Sequence, residues 1–205
     1  MSGALHGMNP LGWSLRRQIA VLGGLLLVVV GAAGWFSVAS LRESQAARAA
    51  DAASTVERMT RDLAERFEYL QRSLDAERAR QALADEDLLR SVTVATLFAA
   101  PGLEGGFFRA EDGQLLGYAY PTYRGSGPKT DIPAAERPTI TDTARRAVMT
   151  GAAAGQRIVA GPDLLLFRAE PVRHDGAVVG SAWVMQRLQG AQTPEQRLRA
   201  LGTQA

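Results

Sequence analysis

Apolar and polar positions alternate in three different ways along this chain. From Ile19 to Ala39 (IAVLGGLLLVVVGAAGWFSVA) no charge interrupts the apolar run. At about 1.5 Å per helical residue, such a run crosses a hydrocarbon core of roughly 30 Å. It predicts a transmembrane helix over residues 19–39, preceded by a tail over 1–18. From Leu41 to about Ala84 there is neither proline nor glycine, and Val56, Met59, Leu63, Phe67, Leu70 and Leu74 recur at three- and four-residue steps. That period predicts a long amphipathic helix with one apolar stripe. The pairs Glu57–Arg61, Asp62–Arg66 and Glu68–Arg72 place an acid four residues before a base, the favourable order on a helix. The helix is expected to pause at Asp85-Glu86-Asp87, resume through Phe98 and stop at Pro101-Gly102, which gives a long helical region over 40–100.

Past Pro101 the period shortens. Leu103–Arg109 and Gln114–Tyr120 flank Glu111-Asp112-Gly113, a hairpin signal. A loop over Pro121–Arg137 follows. Pro138 then opens a helix carrying Ile140, Ala144, Ala147 and Val148 on one face, with Gly151 as its stop. Gln156–Ala160, Leu164–Pro171 and Ala177–Leu188 read as three more strands, joined by turns at Gly161-Pro162-Asp163 and His174-Asp175-Gly176. The expected class is α+β: a five-stranded, mostly antiparallel sheet domain over 101–190 with the helices on one face. At residues 191–205, Thr193-Pro194-Glu195-Gln196 is a helix start, with Thr193 as cap and Pro194 in the first position. It is expected to lead toward a second membrane segment.

Charge gives the apolar run a direction. Arg16 and Arg17 precede it, the tail holds no acid, and Arg42 after it is offset by Glu43. The positive-inside bias places the N-terminus in the cytoplasm and the bulk of the chain in the periplasm or outside the cell, as a single-pass protein of the inner membrane. Val38-Ala39-Ser40 would also fit a signal-peptide cleavage site. The run is longer than a signal core of about 7–15 residues, however, and the Trp35-Phe36 pair sits poorly beside such a site, so a retained anchor is favoured. The net charge of +2 arises from interleaved arginines and acids, so no basic stripe points to nucleic acid. With no cysteine, disulfides, thiolate chemistry and cysteine zinc sites are excluded.

The apolar stripe leaves two readings open. Val56, Leu63 and Leu70 lie a heptad apart and would suit a twin helix in a homodimer, or the stripe packs on its own domain. Candidate chemistry is sparse. Gly125-Ser126-Gly127-Pro128-Lys129-Thr130 lacks the spacing of a phosphate-binding loop, because Pro128 precedes the lysine. Ser126, His174 and Asp163 or Asp175 are the only parts for a hydrolytic triad, without the Gly-x-Ser-x-Gly elbow. Two histidines and no cysteine leave only carboxylates as metal ligands, so neither a metal, a cofactor nor a catalytic domain is expected.

The order of tail, membrane helix, exit helix, two strands, loop and helix, and three strands resembles the extracytoplasmic sensor regions of bacterial membrane receptors, the PAS-like domains called Cache or PDC. Gly105-Gly106-Phe107-Phe108, Leu116-Gly117-Tyr118-Ala119-Tyr120-Pro121-Thr122 and Gly125–Asp131 are similar to segments in the sensor regions of some sensor histidine kinases. The resemblance implies the input region of a two-component receptor, a dimer whose kinase transmitter is absent from this chain. It also implies a ligand pocket beneath the loop and helix that cross the sheet. Lys129, Thr130 and Tyr123 would meet a small anionic ligand there, with Arg109, Tyr118, Tyr120 and Arg168 supplied from the strands. The alternative is a single-pass envelope protein whose domain serves interaction or assembly.

Overall fold

The structure, a computed structural model, describes residues 15–122, 129 and 131–190. His6, Tyr123, Ser126, Thr130 and the helix start at Thr193–Gln196 lie outside the described residues. The chain divides into two units, Met1–Ala46 and Ala47–Ala205. The first helix, α1, spans Leu15–Ser73. Its early part is the one helix among the described residues long and apolar enough to cross a membrane, with a mean hydropathy of 2.3 over the most apolar window. Its large side chains, from Ile19 through Val30 to Trp35 and Phe36, stand exposed.

In the second unit, α1 gives way at Ser73 to a short helix α2 (Ala76–Gln81), a 3-10 turn over Ala82–Ala84, and α3 (Glu86–Leu97). The break at residues 73–75 departs from the continuous helix expected to Ala84. No proline or glycine causes it. Asp75 leaves the helical conformation and its carboxylate accepts from the Arg78 N–H at 2.9 Å, making it the cap of a new helix. Asp85 repeats the device at the expected pause, accepting from the Leu88 N–H at 3.0 Å. Aspartate can compete for backbone donors, and the carboxylates of Asp75 and Asp85 do so, whereas Asp51 and Asp62 stay within α1.

Strands β1 (Leu103–Arg109) and β2 (Leu115–Ala119) form the expected hairpin, closed by Gly113 at φ 72°. Helix α4 (Arg137–Thr150) follows, with Pro138 in its first turn and left-handed Gly151 at its end. Then come β3 (Ala154–Ala160), β4 (Asp163–His174) and β5 (Ala177–Leu188). The five strands make one open sheet in the order β2-β1-β5-β4-β3, and every neighbouring pair is antiparallel. The fold is α+β, a long N-terminal helix with a five-stranded antiparallel sheet.

The expectation that the helices share one face of the sheet is corrected. Neighbouring residues of a strand point to opposite faces, and β1, β4 and β5 are buried at consecutive positions. On one face Leu103, Phe107, Leu166, Val172, Ala182 and Val184 pack with Val56, Leu63 and Phe67 of α1 and Leu89 and Leu97 of α3. On the other, Phe108, Leu165, Phe167, Ala169, Trp183 and Met185 pack with Ile140, Ala144 and Ala147 of α4. A sheet apolar on both sides needs two layers of cover, and the crossover helix supplies the second. The stripe of α1 therefore closes its own domain: Val56, Leu63 and Phe67 are buried, with the Phe67 and Phe107 rings 4.9 Å apart. Burying side chains of this size contributes about 1.5–3 kcal/mol each.

Close approach of α3 to β2 depends on Gly117. Its φ is 61°, and a Cβ there would overlap Leu89 and lie 2.8 Å from the Leu89 carbonyl carbon. The Gly117 N–H also donates to Glu86 Oε2 at 3.0 Å, which fixes the start of α3 on the hairpin. Gly161 has nearly the same φ, 58°, but faces open space. Gly161→Ala is expected to lose only the left-handed penalty of about 1–2 kcal/mol. Gly117→Ala adds an overpacking penalty of about 1–3 kcal/mol. Thermal or urea unfolding of the two variants should separate them by that second amount.

Candidate functional site

The sheet face covered by α4 carries a buried acid in β1. In β1, Leu103 and Phe107 point to the α1 side, and Glu104, opposite Met185 in the register, points to the α4 side. Its side chain is only 5% exposed. Burying a carboxylate is costly unless it is paired and hydrogen-bonded, and two donors converge on the same oxygen. The Tyr118 hydroxyl from β2 donates to Oε2 in a short hydrogen bond. The Lys129 ammonium, from the connection between β2 and α4, donates to it at 2.7 Å.

Aromatic rings surround this pair. Lys129 Nζ lies 5.0 Å from the centroid of the Tyr120 ring and 5.8 Å from that of Tyr118, within reach of a cation–π attraction. Tyr118 in turn stacks against Trp183 of β5, with centroids 6.2 Å apart and planes 17° from parallel. The Trp183 indole N–H is buried and has no hydrogen-bond partner among the described residues. Ile132 closes the same cluster at the start of the segment leading to α4. Lys129 keeps 23% of its side chain exposed, against 5% for Glu104.

The seven residues expected at a ligand site thus divide. Tyr118, Tyr120 and Lys129 come together around Glu104. Tyr123 and Thr130 lie outside the described residues. Arg109 ends β1 and binds Asp112 in the hairpin turn, Nε to Oδ1 at 3.0 Å. That bond holds Asp112 below the ordinary carboxylate range and raises Arg109. Arg168 points to the opposite face, where its guanidinium reaches Glu170 at 3.2 Å and Glu57 of α1 at 3.6 Å.

Glu104 and Trp183 were not among the expected site residues. The signal for Glu104 was there: in LEGGFFR it is the one acid in a strand otherwise apolar or glycine up to its last residue. A second polar cluster also went unforeseen. Arg187 of β5 donates to Asp163 at 3.1 Å and to Glu136 beside the start of α4. Burial works against its charge, but the two carboxylates outweigh that and raise its pKa. This cluster ties the end of the sheet to α4. It also engages Asp163, while His174 sits at the far end of the same strand, 3.6 Å from Asp175 in the turn. The Glu104 arrangement brings together a fixed carboxylate, a phenol, an ammonium and two further aromatic rings.

Burial raises the Tyr118 phenol well above its ordinary value of about 10, and the neighbouring Glu104 carboxylate adds to the rise. The neutral phenol is therefore favoured by folding. Its contribution is fully present below about pH 10, and it is lost as pH rises beyond that, where the unfolded chain ionises and the folded one does not. In an alkaline titration followed by tyrosinate absorbance, one phenol should ionise only as the domain unfolds, and Tyr118→Phe should remove that late step alone. No protein-family model matches the chain, and no curated protein matches it.

Proposed function

We propose that the chain is the membrane-anchored input region of a signalling receptor, with its sheet domain on the extracytoplasmic side and a small ligand bound on the α4 face. The observation that carries this reading is that one helix, α1, holds both the apolar segment and a large part of the sheet domain's core. A shift in the sheet domain has a direct mechanical route into such a helix, as a small slide or rotation. The order of long helix, hairpin, crossover helix and three strands supports the same reading, because that order is what resembles Cache-type sensor regions. By that resemblance the output is a cytoplasmic histidine kinase, reached through a homodimer. Since the core stripe of α1 is already covered, the dimer contact falls to other faces of that helix.

The charge pattern around Ile19–Ala39 supports a cytoplasmic N-terminus and an inner-membrane location. Only ligands that bind two conformations of the domain unequally would shift it. Two measurements on the full chain test the proposal. It should remain with the membrane after alkaline carbonate extraction, with the domain after Arg42 accessible to protease from the extracytoplasmic side only. In detergent, at least one small polar ligand should raise its unfolding temperature. A chain released by carbonate would overturn the anchored reading, and one retained by the membrane but indifferent to a broad ligand library, while co-purifying with a single envelope protein, would favour the interaction reading.

A further inference from the structure

Resting on the proposal that the α4 face binds a ligand, we infer that Glu104, Tyr118 and Tyr120 form a cage for a primary ammonium group, and that Lys129 occupies it as an internal competitor. Three features of the cage are those of an ammonium site. A carboxylate oxygen, buried and accepting from Lys129 Nζ at 2.7 Å, supplies the counter-charge. Two tyrosine rings present π density at 5.0 and 5.8 Å from the same nitrogen. Tyr118 is itself held in place, by its hydroxyl bond to Glu104 and its stack on Trp183. Each of these groups would contact the –NH3+ of a small amine as it contacts that of the lysine.

The cage disfavours other occupants. An anion placed there would meet the Glu104 carboxylate, and the ammonium of Lys129 is already matched by that carboxylate. A neutral apolar group would leave the acid buried without a counter-charge. The site therefore selects amines, a narrower and opposite chemistry to the anion expected from Lys129 as a free cation. Competition follows from the geometry: Lys129 Nζ holds the position between Oε2 and the two tyrosine rings, so an ammonium seated there takes the place of the lysine. Apparent affinity in the intact chain is then reduced by the fraction of time the lysine is bound.

Lys129 is the only lysine in the sequence, so a lysine-selective label reports on this one residue. The full chain in detergent, labelled at lysine Cε, is titrated with n-propylammonium, with sodium acetate as the anionic control. The Lys129 signal should begin displaced by the two rings and move toward the free-lysine position with amine and not with acetate. Lys129→Ala should bind n-propylammonium about tenfold more tightly than the intact chain, since the competitor is gone. Glu104→Gln should abolish binding. If Lys129→Ala does not fold, Lys129→Met serves in its place, and the titration of the intact chain needs no variant at all. Two results would overturn the inference: a Lys129 signal unmoved by saturating amine, or equal amine affinity in Glu104→Gln and the intact chain. If amines fail while another ligand class raises the unfolding temperature, the cage assignment falls and the sensor reading stands. If every ligand class fails, both fall.

Discussion

A sheet that is apolar on both faces governs the rest of this structure. The central strands β1, β5 and β4 carry buried side chains at successive positions, so neither face can be left to water. One cover comes from before the sheet in sequence, from α1 and α3, and the other from within it, from the crossover helix α4. The order of the chain makes this cheap in topology: β1 and β2 close a hairpin, α4 crosses, and β3, β4 and β5 return as a meander that brings β5 beside β1. The sheet domain is thus a three-layer arrangement, and removal of either helical layer would expose a continuous apolar surface.

Within the second cover the polar groups are placed where pairing is available. Arg187 meets Glu136 and Asp163 at the end of the sheet, and Ser181 donates to the Ala144 carbonyl at 3.1 Å beneath α4. Glu104 differs in that the ammonium neutralising it is carried by the connection between β2 and α4, whereas buried Glu136, in the turn before α4, is met by an arginine of a strand. A buried charge compensated by a loop residue couples the position of that residue to the electrostatics of the core. That coupling distinguishes the Glu104 cluster from the pairs that simply hold elements together.

Much of this was legible in the sequence, and the parts that were not have physical reasons. Strand β5 was read to the residue, because Gly176 and the polar Gln189-Gly190 bound an apolar run cleanly. Gly151 and Pro138 marked α4 through backbone requirements that few other residues meet. The break at Asp75 was missed because capping is a local competition that composition averages away. The second helical layer was missed because α4 shows only one apolar face, while the need for it is written in the strands, as consecutive rather than alternating burial. For the site, residue type drew attention to Tyr118, Tyr120 and Lys129, but also to Arg109 and Arg168. Whether a strand residue joins a cluster depends on parity and register, which place Glu104 beside Tyr118 and Arg168 on the other side of the sheet.

Small residues in α4 have a consequence for how the face under it is partitioned. Ala144 and Ala147 are fully buried, so the helix lies close against β4 and β5 and leaves little volume beneath it. Over β1 and β2 the same face is closed by Ile132, Tyr120 and Lys129, side chains carried on connecting segments. One half of the face is therefore masonry and the other half shuttering. The first half is set by residues of regular elements and the second by side chains whose backbone lies between β2 and α4, so changes of length or sequence in that connection bear on one half of the face and leave the seat of α4 on β4 and β5 in place.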